Sequence, residues 1–188
     1  MSSLTEFNPV EAVALLNRTP AALNAWLRGM PDIWVRRNEG RNEGKDTWNA
    51  VDVVGHLVFA ERVDWMPRVR MVLENGEARA FGPFDRFAQL KETGEKSMEE
   101  LLDEFAELRT DSLNALRELN LQAEDLTRRG RHPALGVVRL SELLATWAVH
   151  DLTHMHQLCR VMAYQYREAV GPWSAYLGVL QCTGHSVP

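Results

Sequence analysis

Apolar residues recur at three- and four-residue intervals along most of this chain, and capping residues bracket the runs. Asn8-Pro9-Val10-Glu11 reads as a helix start. Asn caps, Pro suits the first helical position, and Glu falls where it can complete a capping box. Thr19-Pro20 repeats the signal, so the first helical region divides into pieces near 9–18 and 20–29, and Pro31 ends it. Asn49, with Asp52 at the third position, opens a second helix that runs to about Glu74 and closes at Asn75-Gly76. Pro67 inside it predicts a kink or break near Asp64. Ser97-Met98-Glu99-Glu100 is another capping box. The helix it opens carries Leu101, Leu102, Phe105, Leu108, Ala115, Leu116 and Leu119 on one stripe. A last long helix spans about 141–167, Gly171-Pro172 ends it, and 173–180 reads as one further short helix.

The connections are polar and rich in turn residues. Segment 36–47 contains a duplication, Arg37-Asn38-Glu39-Gly40 followed by Arg41-Asn42-Glu43-Gly44, and reads as a lengthened loop. Segment 77–96 reads as a long loop carrying Phe81, Phe84 and Phe87, a length often found over functional sites. Segment 120–138 is a polar connection with Arg128, Arg129, Arg131 and Pro133. No run shows sustained strand alternation between hairpin turns. Four main helices therefore predict an all-α four-helix bundle. The two long connections, around 75–97 and 120–140, allow crossovers in place of strict up-down order.

A chain of 188 residues can build one domain, 1–188, around a substantial core. Apolar residues at 45% and charged residues at 25% fit a soluble globular protein. The net charge of −5 gives no basic bias toward nucleic acid. No apolar run reaches the roughly 20 residues that cross a bilayer. Met1–Glu6 has neither the positive start nor the apolar core of a signal peptide. Cys159 and Cys182 form no CxxC pair, so free thiols and a cytoplasmic location are expected.

The candidate chemistry lies in histidines on apolar helix faces. His150 and His154 are one helical turn apart and share a stripe with Leu143, Trp147, Gln157 and Val161. His56 shares a second stripe with Val53, Ala60 and Val63. Each buried ring left unpaired costs about 1–3 kcal/mol, and one shared metal would satisfy all three. Neutral imidazole suits Zn²⁺, Ni²⁺, Cu²⁺ or Fe²⁺, and three protein ligands leave room for a reacting group. Such an ion acidifies a coordinated water or thiol. Spacing alone leaves a second reading open, in which these are core or interface histidines. Asp52, four residues before His56, is a candidate partner for a ligand ring, and Glu61 is a weaker one by angle. His156 lies about 200° around from His154 and should face away. His132 and His185 fall in a loop and at the C-terminus, and Cys159 is off the stripe.

At these residues the chain resembles the DinB/YfiT-like superfamily, from 9 to 181. Thr47-Trp48-Asn49 and Val53-Val54-Gly55-His56-Leu57 look like the start of that family's second helix with its first metal histidine. Glu61-Arg62-Val63-Asp64-Trp65-Met66-Pro67-Arg68 and Gly82-Pro83-Phe84-Asp85-Arg86 resemble one branch. His150-Asp151-Leu152-Thr153-His154-Met155-His156-Gln157 matches the HxxxH helix, with His156 where the family often has Gly and Gln157 kept. The resemblance implies a four-helix bundle with a His56, His150, His154 metal triad, usually zinc or nickel. Related members include S-transferases and an isomerase that use a low-molecular-weight thiol, and fold alone names no substrate.

Two functions stay open. One is a metal-dependent enzyme that activates a low-molecular-weight thiol or water for transfer or hydrolysis of a small-molecule substrate, with the 77–97 loop as a lid. The other is a non-catalytic, metal-stabilised module, with residues 173–180 pairing two bundles as a homodimer. Arg62, Arg68, Arg70, Arg79 and Arg86 could line a cleft for an anionic thiol or substrate, or form a solvated rim; Arg68 and Asp64, near the kink, stand apart from that rim. Trp65, Trp147 and Trp173 read as core. No phosphate loop or nucleophile elbow is present.

Overall fold

The computed structural model describes residues 7–39, 48–85 and 95–182. The second copy of the duplication, Arg86, Phe87 and His185 lie outside the described residues. Helices α1 (Pro9–Leu16) and α2 (Thr19–Leu27) form the first arm, followed by a single turn, α3 (Asp32–Val35). Helices α4 (Ala50–Val63) and α5 (Trp65–Asn75) form the second arm. The third and fourth arms are α6 (Met98–Glu118) and, after the short α7 (Ala123–Leu126), α8 (Leu140–Tyr164). A 3-10 turn at Gly171–Tyr176 and α9 (Gly178–Gln181) end the described chain. The fold is the four-helix bundle that the apolar periodicity predicts, and among the described residues no helix is long and apolar enough to cross a membrane.

Local chemistry sets the boundaries. Asn8 accepts the Val10 N–H at 3.0 Å and starts α1. In front of α4, Asn49 accepts the Asp52 N–H at 3.0 Å while Asp52 accepts the Asn49 N–H at 2.9 Å. The same reciprocal box joins Ser97 and Glu100 at α6. The expected break falls at Asp64, whose residue separates α4 from α5, with Pro67 in the first turn beyond it.

Two readings change. The connection after α7 is not wholly irregular: β1 (Arg129–His132) and β2 (Gly136–Arg139) form an antiparallel hairpin. Each strand has four residues and most are exposed, so no alternation marked them. Gly136 turns the chain with φ of 76°. Trp173 is 71% exposed and belongs to no core, because it follows the end of α8. Val63, placed on the inward stripe, is also exposed, since α4 ends there.

The hairpin is seated on the bundle. A side chain at Gly130 would meet Val72 Cγ2 at 2.7 Å and Phe81 at 3.0 Å, so β1 lies directly on these two residues. Phe81 N–H also donates to the Arg131 carbonyl at 2.8 Å. The first long connection is thereby pinned beside the second.

The core divides in two along the helices. One cluster gathers Leu23, Trp48, Val54, Leu101, Phe105 and Leu158. The other gathers Trp65, Val69, Val72, Leu113, Leu144 and Trp147. Between these clusters along the sequence of α4, α6 and α8 fall Glu61, Arg109, His150, Asp151 and His154. The polar residues thus form a layer across the bundle, and the site is built there.

Candidate metal centre

His56 of α4 and His150 and His154 of α8 meet in this layer. Their Nε2 atoms converge: His150 Nε2 lies 3.1 Å from that of His56 and 3.0 Å from that of His154. The three rings form a group able to hold a metal ion, with ligand atoms all within 4.8 Å of one another. The i, i+4 spacing places the α8 pair, and the packing of α4 on α8 brings in His56.

Hydrogen bonding sets one tautomer. Gln157 Oε1 lies 2.8 Å from His154 Nδ1, so Nδ1–H donates outward and Nε2 keeps its lone pair facing the other rings. Burial holds the His150 pKa well below its ordinary value, and His154, His56 and Arg109 add to the shift. The ring therefore stays neutral near pH 7. No hydrogen-bond partner for His150 Nδ1 occurs among the described residues.

This donor set fits a divalent cation. Metal–nitrogen bonds of about 2.0–2.1 Å set ligand nitrogens about 2.9–3.4 Å apart in octahedral or tetrahedral geometry. The two measured separations fall in that range. A neutral His150 has at most one Nε2 proton for two neighbouring nitrogens, and the lone pair of His154 already points inward. A cation resolves this conflict by accepting lone pairs from all three rings, and imidazoles suit the borderline transition metals.

The trio opens into a cavity of about 400 Å³. Trp48 lies near the rings, 5.0 Å from His56 between centroids. Trp65 meets His150 edge-on at 5.0 Å, and Phe84 meets His56 edge-on at 5.5 Å. Phe81, Leu135, Val138 and Leu143 continue the apolar walls. The hairpin and the first long connection thus supply one side of the cavity. Asp64 and Arg68 also line it and pair at 2.6 Å. Burial pushes the Asp64 carboxyl up to about 6, against the opposing pull of Arg68.

The other candidate residues separate by role. Gln157 orients His154. Asp52 serves the start of α4 and, with its pKa raised by burial, gives its carboxylate to the Asn49 N–H. Glu61 belongs to a buried network unforeseen in the sequence. Arg109 makes a two-pronged pair with Asp151 at 2.7 and 2.9 Å, donates Nε–H to Glu61 at 2.9 Å, and reaches the Leu16 carbonyl at 2.8 Å. Trp147 Nε1–H donates to the same Glu61 oxygen at 2.9 Å. Burial pulls the Arg109 pKa down, but Asp151 and Glu61 outweigh it and keep the group charged. A signal for Arg109 was present: it sits four residues from both Phe105 and Leu113, on the inward stripe. His156 and Cys159 are exposed, as their positions off the stripe require.

A helical bundle with three imidazoles converging beside an apolar cavity defines a class of metal-site bundle. The profile of the DinB superfamily matches residues 15–158, and the chain belongs to that superfamily. Among solved structures it is similar to YfiT from Bacillus subtilis, described as a probable metal-dependent hydrolase with an unusual four-helix bundle topology. The two are 21% identical, with a TM-score of 0.70 over 90% of this chain and 91% of that chain, a likeness of fold. No curated protein matches the sequence.

Proposed function

We propose that this chain is a metal-dependent enzyme, in first place a hydrolase, acting on a small molecule held in the cavity. One observation carries the reading: three Nε2 atoms meet at 3.0–3.1 Å where an apolar cavity opens. His56, His150 and His154 would hold a divalent ion, zinc or nickel by donor type. When bound, such an ion supplies Lewis acidity and lowers the pKa of a coordinated nucleophile, water or a low-molecular-weight thiol. The likeness to YfiT, itself described as a probable metal-dependent hydrolase, supports water over thiol.

The chain's own residues prepare the reaction. Gln157 fixes the His154 tautomer and ring angle. Burial keeps His150 neutral, so its lone pair is available without first losing a proton. Trp65, Phe84 and Leu143 keep bulk water away from the reacting end and bind the apolar part of a substrate.

Elemental analysis of tag-free protein tests the reading, together with hydrolase and thiol-transfer assays. Stoichiometric zinc or nickel is expected in the wild type. His154→Ala should lose both metal and turnover. Tight metal retained in that variant would defeat the assignment.

A second reading, a homodimer without catalysis, has its own observation: Trp173 and Tyr176 are 71% and 83% exposed. Light scattering decides it, since a monomeric wild type removes the pairing. A cytoplasmic location belongs to the proposed enzyme and rests on the two free cysteines.

A further inference from the structure

Away from the histidine trio the cavity is lined by Arg68 and His132, two donors, together with the carboxyl groups of Asp64 and Glu142. Arg68 spends Nε on Asp64 at 2.6 Å. Its two Nη groups have no hydrogen-bond partner among the described residues, although the side chain is only 12% exposed. Phe81 supports the guanidinium, whose carbon lies 5.2 Å from the ring centroid. His132, on the same wall, has its tautomer set by the hairpin turn. The Ala134 and Leu135 N–H groups donate to its Nδ1 at 3.2 and 3.1 Å. Its proton is therefore on Nε2, a donor without a partner among the described residues. Burial lowers the His132 pKa, and the neighbouring Arg68 adds to that, which keeps the ring neutral.

We propose that Arg68, helped by His132, forms an anion site that selects substrates with an apolar body and a single carboxylate. The inference rests on the cavity being the substrate site of the proposed enzyme. Asp64 holds the guanidinium through Nε and leaves the Nη edge to make a two-pronged contact with a planar anion. Among the described residues that line the cavity, Arg68 is the one cationic side chain, while Asp64 and Glu142 carry carboxyl groups. Glu142 already accepts the Arg139 N–H at 2.7 Å at the start of α8. One guanidinium with its Nε held by Asp64 offers a single two-pronged contact, which matches one carboxylate and leaves the second charge of a phosphate monoester uncompensated. Asp64 follows His56 by eight residues, about 12 Å of helix rise. The carboxylate and the reacting group of a substrate would thus sit at opposite ends of its apolar body, with Trp65 and Phe84 against the imidazole end and Leu143 also lining the cavity.

Calorimetric titration of metal-stripped protein with phenylbutyrate and phenylbutanol tests this. Removing metal first prevents the carboxylate from binding the ion itself. Phenylbutyrate should bind at least about tenfold more tightly than the alcohol in the wild type, as charge-assisted pairing implies. Arg68→Gln should erase the preference while leaving the alcohol unchanged. Arg68→Lys, which keeps charge but not the fork, should retain part of it and guards against a folding defect in the first variant. His154→Ala should keep the preference, so failure of the metal assignment and failure of the anion site are separate results. Equal affinities in the wild type, a preference that survives Arg68→Gln, or phenyl phosphate binding as tightly as phenylbutyrate would each overturn the proposal.

Discussion

Arg109→Met tests whether the buried layer holds the bundle together by charge. Arg109 is 1% exposed and reaches α4 through Glu61, α8 through Asp151 and α1 through the Leu16 carbonyl. One cation faces two carboxylates, so its removal leaves two buried negative charges with no compensation. Breaking a buried pair in this way costs about 3–5 kcal/mol. Methionine restores some packing against Phe105 and Trp147, both now beside the guanidinium. At about 2–4 °C per kcal/mol for a chain of this size, the melting temperature should fall by about 6–20 °C.

The sign of the pH dependence makes the test sharper. In the variant the carboxylates of Glu61 and Asp151 face no cation, and burial then penalises their charge. Protonation removes a carboxylate's charge, so such a penalty is present at neutral pH and falls away in acid. The gap between variant and wild type should therefore narrow toward about pH 4–5. Adding Glu61→Gln to Arg109→Met should recover part of the loss, because one uncompensated charge is gone. Calorimetric melts across pH check both points. A variant that melts within about 2 °C of the wild type at pH 7 would refute the claim that Arg109 holds these helices.

Two further outcomes follow from the site. Gln157→Leu removes the acceptor of His154 Nδ1–H and should weaken metal binding about 10–100-fold in a chelator competition; unchanged affinity would show that the 2.8 Å contact does not orient the ring. Asp64, with a carboxyl raised from 3.8 to about 6 chiefly by burial, contributes stability below the lower value that is lost as pH rises through the higher one. Relative to the wild type, Asp64→Asn should gain up to about 3 kcal/mol between pH about 4 and 7 in denaturant titrations, and a flat difference would contradict the raised pKa.

The parts legible in the sequence were those written in helical period. Asn49 with Asp52, Ser97 with Glu100, and the break at Asp64 are local, so neighbouring residues suffice to specify them. The histidine trio was legible for a related reason: period gives the face on which His56, His150 and His154 lie. Facing is not pairing, however. That Arg109 would join Glu61 and Asp151 depends on the depth at which three helices cross, and no single helix encodes that depth. The hairpin was hidden differently. Its four-residue strands bury little, so they carry no alternation, and their position is fixed by Gly130 resting on Val72 and Phe81. The consequence reaches the site, since Phe81 supports Arg68 and both line the cavity. The helices therefore specify the floor of three imidazoles, whereas contacts between two connections specify what surrounds the far end. Changes in those connections can alter the ligand admitted while leaving the three imidazoles where they are.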